Sequence, residues 1–171
     1  IKNVNNCYFF SSPRFLKKNF INNEFKLELE WLRKIVSNIK INKLIYISSS
    51  SVYYKKNHII GSIKLKCENL ILKNKNLFKD HQIWRPFNLI GEKYVNSDHF
   101  HNKLFKKMFL KKEYITSFEG NLSDKRGYAD VNHFVKVLYK ESTQDKSFIK
   151  DYGNKNLIKI SEIINLFNSY Y

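Results

Sequence analysis

The sequence has 171 residues, 43% of them hydrophobic and 16% aromatic, enough for one domain with its own core. No apolar run approaches the roughly 18 to 20 residues of a membrane span, and the asparagine-broken opening IKNVNNCYFF has no signal-peptide character, so a cytoplasmic protein is expected. The formal charge of +16 argues little for nucleic acid, because only Arg14, Arg33, Arg85 and Arg126 carry the planar fork that reads phosphates and base edges, and the lysines are scattered.

Residues 7–10 (CYFF) read as a short buried strand. Over 22–39, Phe25, Leu29, Leu32, Val36 and Ile39 recur at spacings of four, three, four and three, which is one face of a helix capped by Asn22 or Asn23. LIYIS at 44–48 is β-branched, apolar and too short for a helix, hence a buried strand. A second helix over 61–76 carries Ile63, Cys67, Leu70 and Ile71 as its stripe. QIWRP at 82–86 is a strand ended by Pro86, which has no N–H to continue a ladder. A helix around 99–112, a run ITSF at 115–118, a helix from Val131 to Ser142 and a closing helix from about 160 complete the chain.

Strands alternating with helices predict an α/β fold, a parallel sheet flanked by helices. Ligands in such sheets bind beyond the carboxyl ends of the strands. That rule singles out Ser11 and Ser12, Ser48 to Ser51, and Phe87 and Asn88. Cys7 and Cys67 form no CxxC, and His58, His81, His99, His101 and His133 have no ligand spacing, so no metal site is expected.

Several segments carry a family likeness. LIYISSSSVYY (44–54) resembles the strand and serine turn of the extended short-chain dehydrogenases/reductases, the NAD-dependent epimerase/dehydratase family. GSIKLKCENLIL (61–72) resembles the helix that carries their tyrosine–lysine pair. WRPFNLIGEKY (84–94) is similar to their Arg-Pro-x-Asn-x-x-Gly segment, KRGYADVNHFVK (125–136) to the arginine motif opening a late helix, and IKDYGNKNLIKISEII (149–164) to the glycine turn before a substrate-domain helix. The resemblance implies a partial Rossmann-like sheet over 1–95, with CYFFSSP (7–13) as the fourth strand of the nucleotide-binding sheet. It assigns 96–171 to a small C-terminal substrate-binding portion interleaved with that sheet. None of Gly61, Gly91, Gly120, Gly127 and Gly153 belongs to a GxGxxG turn, and the chain opens at Ile1, so the glycine-rich start is expected upstream.

The same resemblance implies roles. Ser49 takes the place of the hydroxyl that bonds the reacting sugar oxygen, and Lys64 that of the catalytic lysine, which also holds the nicotinamide ribose. Ser11, Ser12, Lys64 and Phe87 are the implied contacts to NAD or NADP. Asn88 and Arg126 are the implied contacts to a nucleotide-sugar diphosphate, arginine being suited to it by bidentate geometry. The tyrosine position is Ile60, which has no proton to give, and Tyr53 and Tyr54 lie earlier in the loop. Ser50 and Ser51 stand where dehydratases carry an Asp-Glu pair, which weakens a 4,6-dehydratase reading. In the arginine motif, Asn132 and His133 replace the two acids.

Each residue also has a plainer reading: Ser49 as a turn hydroxyl, Lys64 as one lysine on a lysine-rich helix, and Arg85 as a structural donor. Three functions follow. The first is a nucleotide-sugar epimerase/reductase, truncated or degenerate and weakly active or inactive as this chain. The second is a non-catalytic partner, a pseudoenzyme that pairs through helices 22–39 and 61–76 with itself, as a homodimer, or with an active relative. The third, supported by lysine excess alone, is a basic nucleic-acid-binding module.

Overall fold

The computed structural model describes residues 2–10, 26–53, 59–91, 103–104, 106–107, 111–116 and 120–169. Ser11, Ser12 and Tyr54, most of the helix expected around 99–112, and part of the run 115–118 lie outside them. The chain divides into two compact units. One comprises residues 1–87 and 136–152, the other 88–135 and 153–171.

The first unit is built on four parallel strands in the order β1-β2-β3-β7. They are β1 (Lys2–Phe9), β2 (Ile39–Ile47), β3 (Asp80–Pro86) and β7 (Phe148–Tyr152). Between them run α1 (Lys26–Asn38) and α2 (Ile59–Lys73), both close to the stretches whose periodicity marks them as helical. β2 and β3 each have strands on both sides. β2 therefore holds an almost unbroken buried run, with Leu44, Ile45 and Tyr46 all closed to solvent. Alternation sorts its side chains: Leu44 and Tyr46 join Leu32, Ile63, Cys67 and Ile71 in one apolar cluster with α1 and α2.

The opposite face receives α3 (Val131–Ser142). Lys43 is buried on that side and donates to Ser142 O at 3.0 Å and Gln144 O at 2.8 Å. A cation thereby meets carbonyls at and just beyond a helix C-terminus, where the dipole favours it. Gln82 adds a bond from Nε2 to Glu141 O at 3.0 Å.

β7 was not among the expected strands. FIKDY alternates half-buried with exposed residues, as an edge strand does, and offers no long apolar run. Trp84 holds it in place, with its ring 5.3 Å from Phe148 and 6.4 Å from Tyr152, and with the Lys150 ammonium 5.2 Å above it.

The second unit has two small sheets. β4 (Asn88–Ile90) pairs in parallel with β6 (Tyr128–Asp130), and β5 (Lys125–Arg126) pairs antiparallel with β8 (Ile158–Lys159). Ile160, Ile163 and Ile164 of α4 (Ile160–Asn168) pack with Leu104 and Ile115 as its core. Asp130 caps the start of α3 by accepting the His133 N–H at 2.7 Å.

Candidate functional site

The carboxyl ends of β2, β3 and β7 bring one group of the expected residues together. Ser48 anchors the turn that leaves β2, donating its N–H to Trp84 O at 2.7 Å. Ser49 Oγ accepts the Ser51 N–H at 3.1 Å, so its hydroxyl fastens its own turn. The Ser51 hydroxyl is buried and has no hydrogen-bond partner among the described residues. Phe87 is half-buried just past β3, its N–H given to Tyr152 O at 2.8 Å.

Gly61 lets the first turn of α2 lie against this serine turn. A Cβ there would sit 2.1 Å from Ser51 O and 2.8 Å from Ser51 C, both backbone atoms. Alanine gains about 1 kcal/mol of helix propensity over glycine, yet the backbone must move to admit it. Gly61→Ala is therefore expected to destabilise the chain by about 1–3 kcal/mol, the scale of overpacking. A lower urea midpoint at unchanged slope would register this, and an unchanged or higher midpoint would contradict it.

Ile60, Lys64 and Glu68 follow one another at four-residue intervals on α2. Lys64 is 6% exposed. Its Nζ donates to Glu28 Oε1 at 2.6 Å and to Ile47 O, the last carbonyl of β2, at 2.9 Å. Glu28 reaches it from α1 and is itself 4% exposed. The same Glu28 oxygen accepts the Tyr46 hydroxyl at 2.9 Å, and the Lys64 ammonium lies 5.1 Å from the Tyr46 ring. Burial first, and then the neighbouring Glu28 charge, push the Tyr46 phenol well above its ordinary range. The same two causes lead in Cys67, whose thiol is pushed up to about 11. Both groups stay protonated at neutral pH, and neither is a nucleophile.

Glu68 organises a second constellation. Buried to 1% exposure, it accepts Ser48 Oγ at 2.5 Å and both Nε and Nη2 of Arg85, at 3.0 and 2.5 Å. This is a bidentate, charge-assisted pair. Arg85 Nη1 then donates to the Tyr53 hydroxyl at 2.6 Å, and Tyr53 donates to Asp151 on β7 at 2.8 Å. The Tyr53 hydroxyl is held above its usual range by partial burial and next by its bond to Asp151, with Arg85 opposing. That environment favours a phenol over a phenolate.

Asn88 and Arg126 belong to the second unit. Asn88 Nδ2 donates to Gly127 O at 2.8 Å, which ties β4 to the residue following Arg126. Arg126 is partly exposed and lies 3.6 Å from Asp124. Among the described residues, no group of three or more His, Cys, Asp or Glu could hold a metal ion.

Sequence reasoning did not single out Glu28, Glu68 or Asp151. For two of them a signal existed. Glu28 stands four residues before the fully buried Leu32, and Glu68 adjoins the fully buried Cys67, so each borders an apolar stripe.

No family model and no curated protein matches the chain. Solved structures do. It aligns with a UDP-galactose 4-epimerase at a TM-score of 0.70 and 14% identity, over 95% of this chain and 60% of that one. The UDP-N-acetylglucosamine 4-epimerase from Bacillus cereus gives 0.68 and 18%, over 90% and 59%. The UDP-glucuronic acid 4-epimerase from Bacillus cereus, in complex with UDP-glucuronic acid and NAD, gives 0.61 and 24%, over 86% and 50%. The chain thus spans between half and three-fifths of these structures. Its fold is that of the extended short-chain dehydrogenases/reductases, a Rossmann-like parallel sheet flanked by helices.

Proposed function

We propose that this chain is a degenerate nucleotide-sugar epimerase/reductase that keeps the sheet-end framework of its fold without tyrosine-dependent proton transfer. One observation carries the reading. Isoleucine occupies position 60, one helical turn ahead of a lysine that is buried on Glu28 and Ile47 O. An alkyl side chain neither gives nor takes a proton, and general acid–base catalysis is worth roughly 10²–10⁴ in rate. The two tyrosines nearest the turn among the described residues are poor substitutes. Tyr46 is fully buried, and the Tyr53 hydroxyl is engaged by Arg85 and Asp151.

On this reading residues 1–95 form the later part of a nucleotide-binding domain and 96–171 a substrate-binding portion. Asn88 and Arg126 are the residues proposed to contact a nucleotide-sugar diphosphate, and Ser49 the hydroxyl proposed to contact a sugar. NAD or NADP enters through the fold alone. The residues present do not fit its nicotinamide ribose at Lys64, since that ammonium is turned inward. The protein is cytoplasmic in this reading, and no described helix is long and apolar enough to cross a membrane.

The test is turnover. The chain, incubated with UDP- and dTDP-hexoses and with NAD or NADP, is expected to produce no epimer, and robust epimerisation overturns the proposal. Ile60→Tyr is expected to remain equally silent, because the lysine that would lower the phenol's pKa is already paired.

The exposed Ile59 and Leu65 on α2 favour a second reading, a non-catalytic partner that pairs through α1 and α2. A strict monomer by light scattering at high concentration would remove it.

A further inference from the structure

The direction in which Lys64 points goes beyond the absence of a catalytic phenol. An ammonium that holds a ribose must present its N–H groups to the ligand side of the sheet. Here Glu28 and Lys64 meet at 2.6 Å with side chains only 5% and 8% exposed, and the Ile47 carbonyl takes a second N–H. We propose that Glu28 is a built-in counter-ligand, a positioning residue from α1 that holds the Lys64 ammonium in the core and closes it to any nucleotide ribose.

The competition decides itself on chemistry. A ribose offers neutral hydroxyls, whereas Glu28 offers a carboxylate, whose full negative charge adds direct Coulomb attraction to the hydrogen bond from the ammonium. Turning Lys64 outward would also abandon a buried carboxylate, which is costly unless another cation replaces the lysine. The Tyr46 hydroxyl donates to the same Glu28 oxygen and helps to fix the carboxylate. The inference rests on the proposed degenerate site, and it adds that the site is blocked as well as incomplete.

The probe is the lysine amine itself, so the outcome does not depend on turnover. In trace acetylation of the whole chain with acetic anhydride, read by mass spectrometry, Lys64 is expected to react at least roughly tenfold more slowly than the exposed Lys66 on the same helix. In Glu28→Gln the counter-charge is gone, and Lys64 labelling is expected to rise toward the Lys66 rate. Glu28→Asp retains the charge and is expected to keep most of the protection. Wild-type labelling of Lys64 at the Lys66 rate would overturn the proposal, as would a folded Glu28→Gln that stays fully protected. Should Glu28→Gln fail to fold, nitrogen-15 lysine spectra of the wild type decide. A Lys64 ammonium resonance sheltered from water exchange supports the counter-ligand, and its absence overturns it. Epimerisation by a chain whose Lys64 is protected would refute the functional reading and leave this one standing.

Discussion

Glu28→Ala is expected to cost about 3–5 kcal/mol of folding free energy, the range for breaking one side of a buried ion pair. The size follows from what is left behind. Lys64 would be left in the core with its carboxylate gone, and the Tyr46 hydroxyl would lose the acceptor it now shares with that lysine. Stranded buried polar groups cost more than the bonds they made. Replacing both ends by apolar residues of similar size, as in Glu28→Leu with Lys64→Met, removes the stranded charge and is expected to restore most of the loss. Urea unfolding of the two single variants and the double variant measures this as a coupling energy. If Glu28→Ala lowers stability by less than about 1 kcal/mol, the pair lacks the energetic weight its burial implies.

The second large effect is expected at Glu68. Its carboxylate is almost wholly enclosed and collects Ser48, Arg85 Nε and Arg85 Nη2. Glu68→Ala leaves a half-buried guanidinium without its counter-ion and a buried hydroxyl without its acceptor. A loss of about 3–5 kcal/mol is expected, or a fall of roughly 10 °C in Tm for a chain of this length. Arg85→Lys should cost less, because it keeps the charge while giving up the two-pronged contact. The contrast carries the test: equal losses for both variants would mean that geometry, and not an unpaired charge, sets the energy.

The two variants also mark where sequence reading ends. Periodicity alone located α1, α2 and α3, because apolar residues at helical spacing have to face a core whatever that core contains. It located β2 by its continuous apolar run LIYI, and β3 by the short QIWRP segment that Pro86 ends. It passed over β7, whose Asp151 and Lys150 look like loop residues until Trp84 and Arg85 are seen beside them. Lys64 was legible as a special position through its resemblance and spacing, but its partner was not. Glu28 is 36 residues away on another helix, and its place beside an apolar stripe does not say which cation it meets across the core. Ser49 showed the reverse: its plainer reading as a turn hydroxyl is the contact the structure gives it. Asn88 and Arg126 were placed by motif, and the structure gives Asn88 a backbone partner that no motif specifies.

The strand order has a bearing on how the sheet is born. β3 and β7 lie side by side although one ends at Pro86 and the other starts at Phe148. A ribosome emits the chain from its N-terminus, so three strands exist before the fourth has been translated. Until Tyr152 has cleared the exit tunnel, β3 is an open border, and Trp84 lacks the aromatic neighbours that enclose it. Pairing across so long an interval is intrinsically slow. Vectorial synthesis therefore leaves the nascent protein with this strand edge unpaired for the time it takes to make about sixty more residues, a stage at which a chaperone would find something to hold.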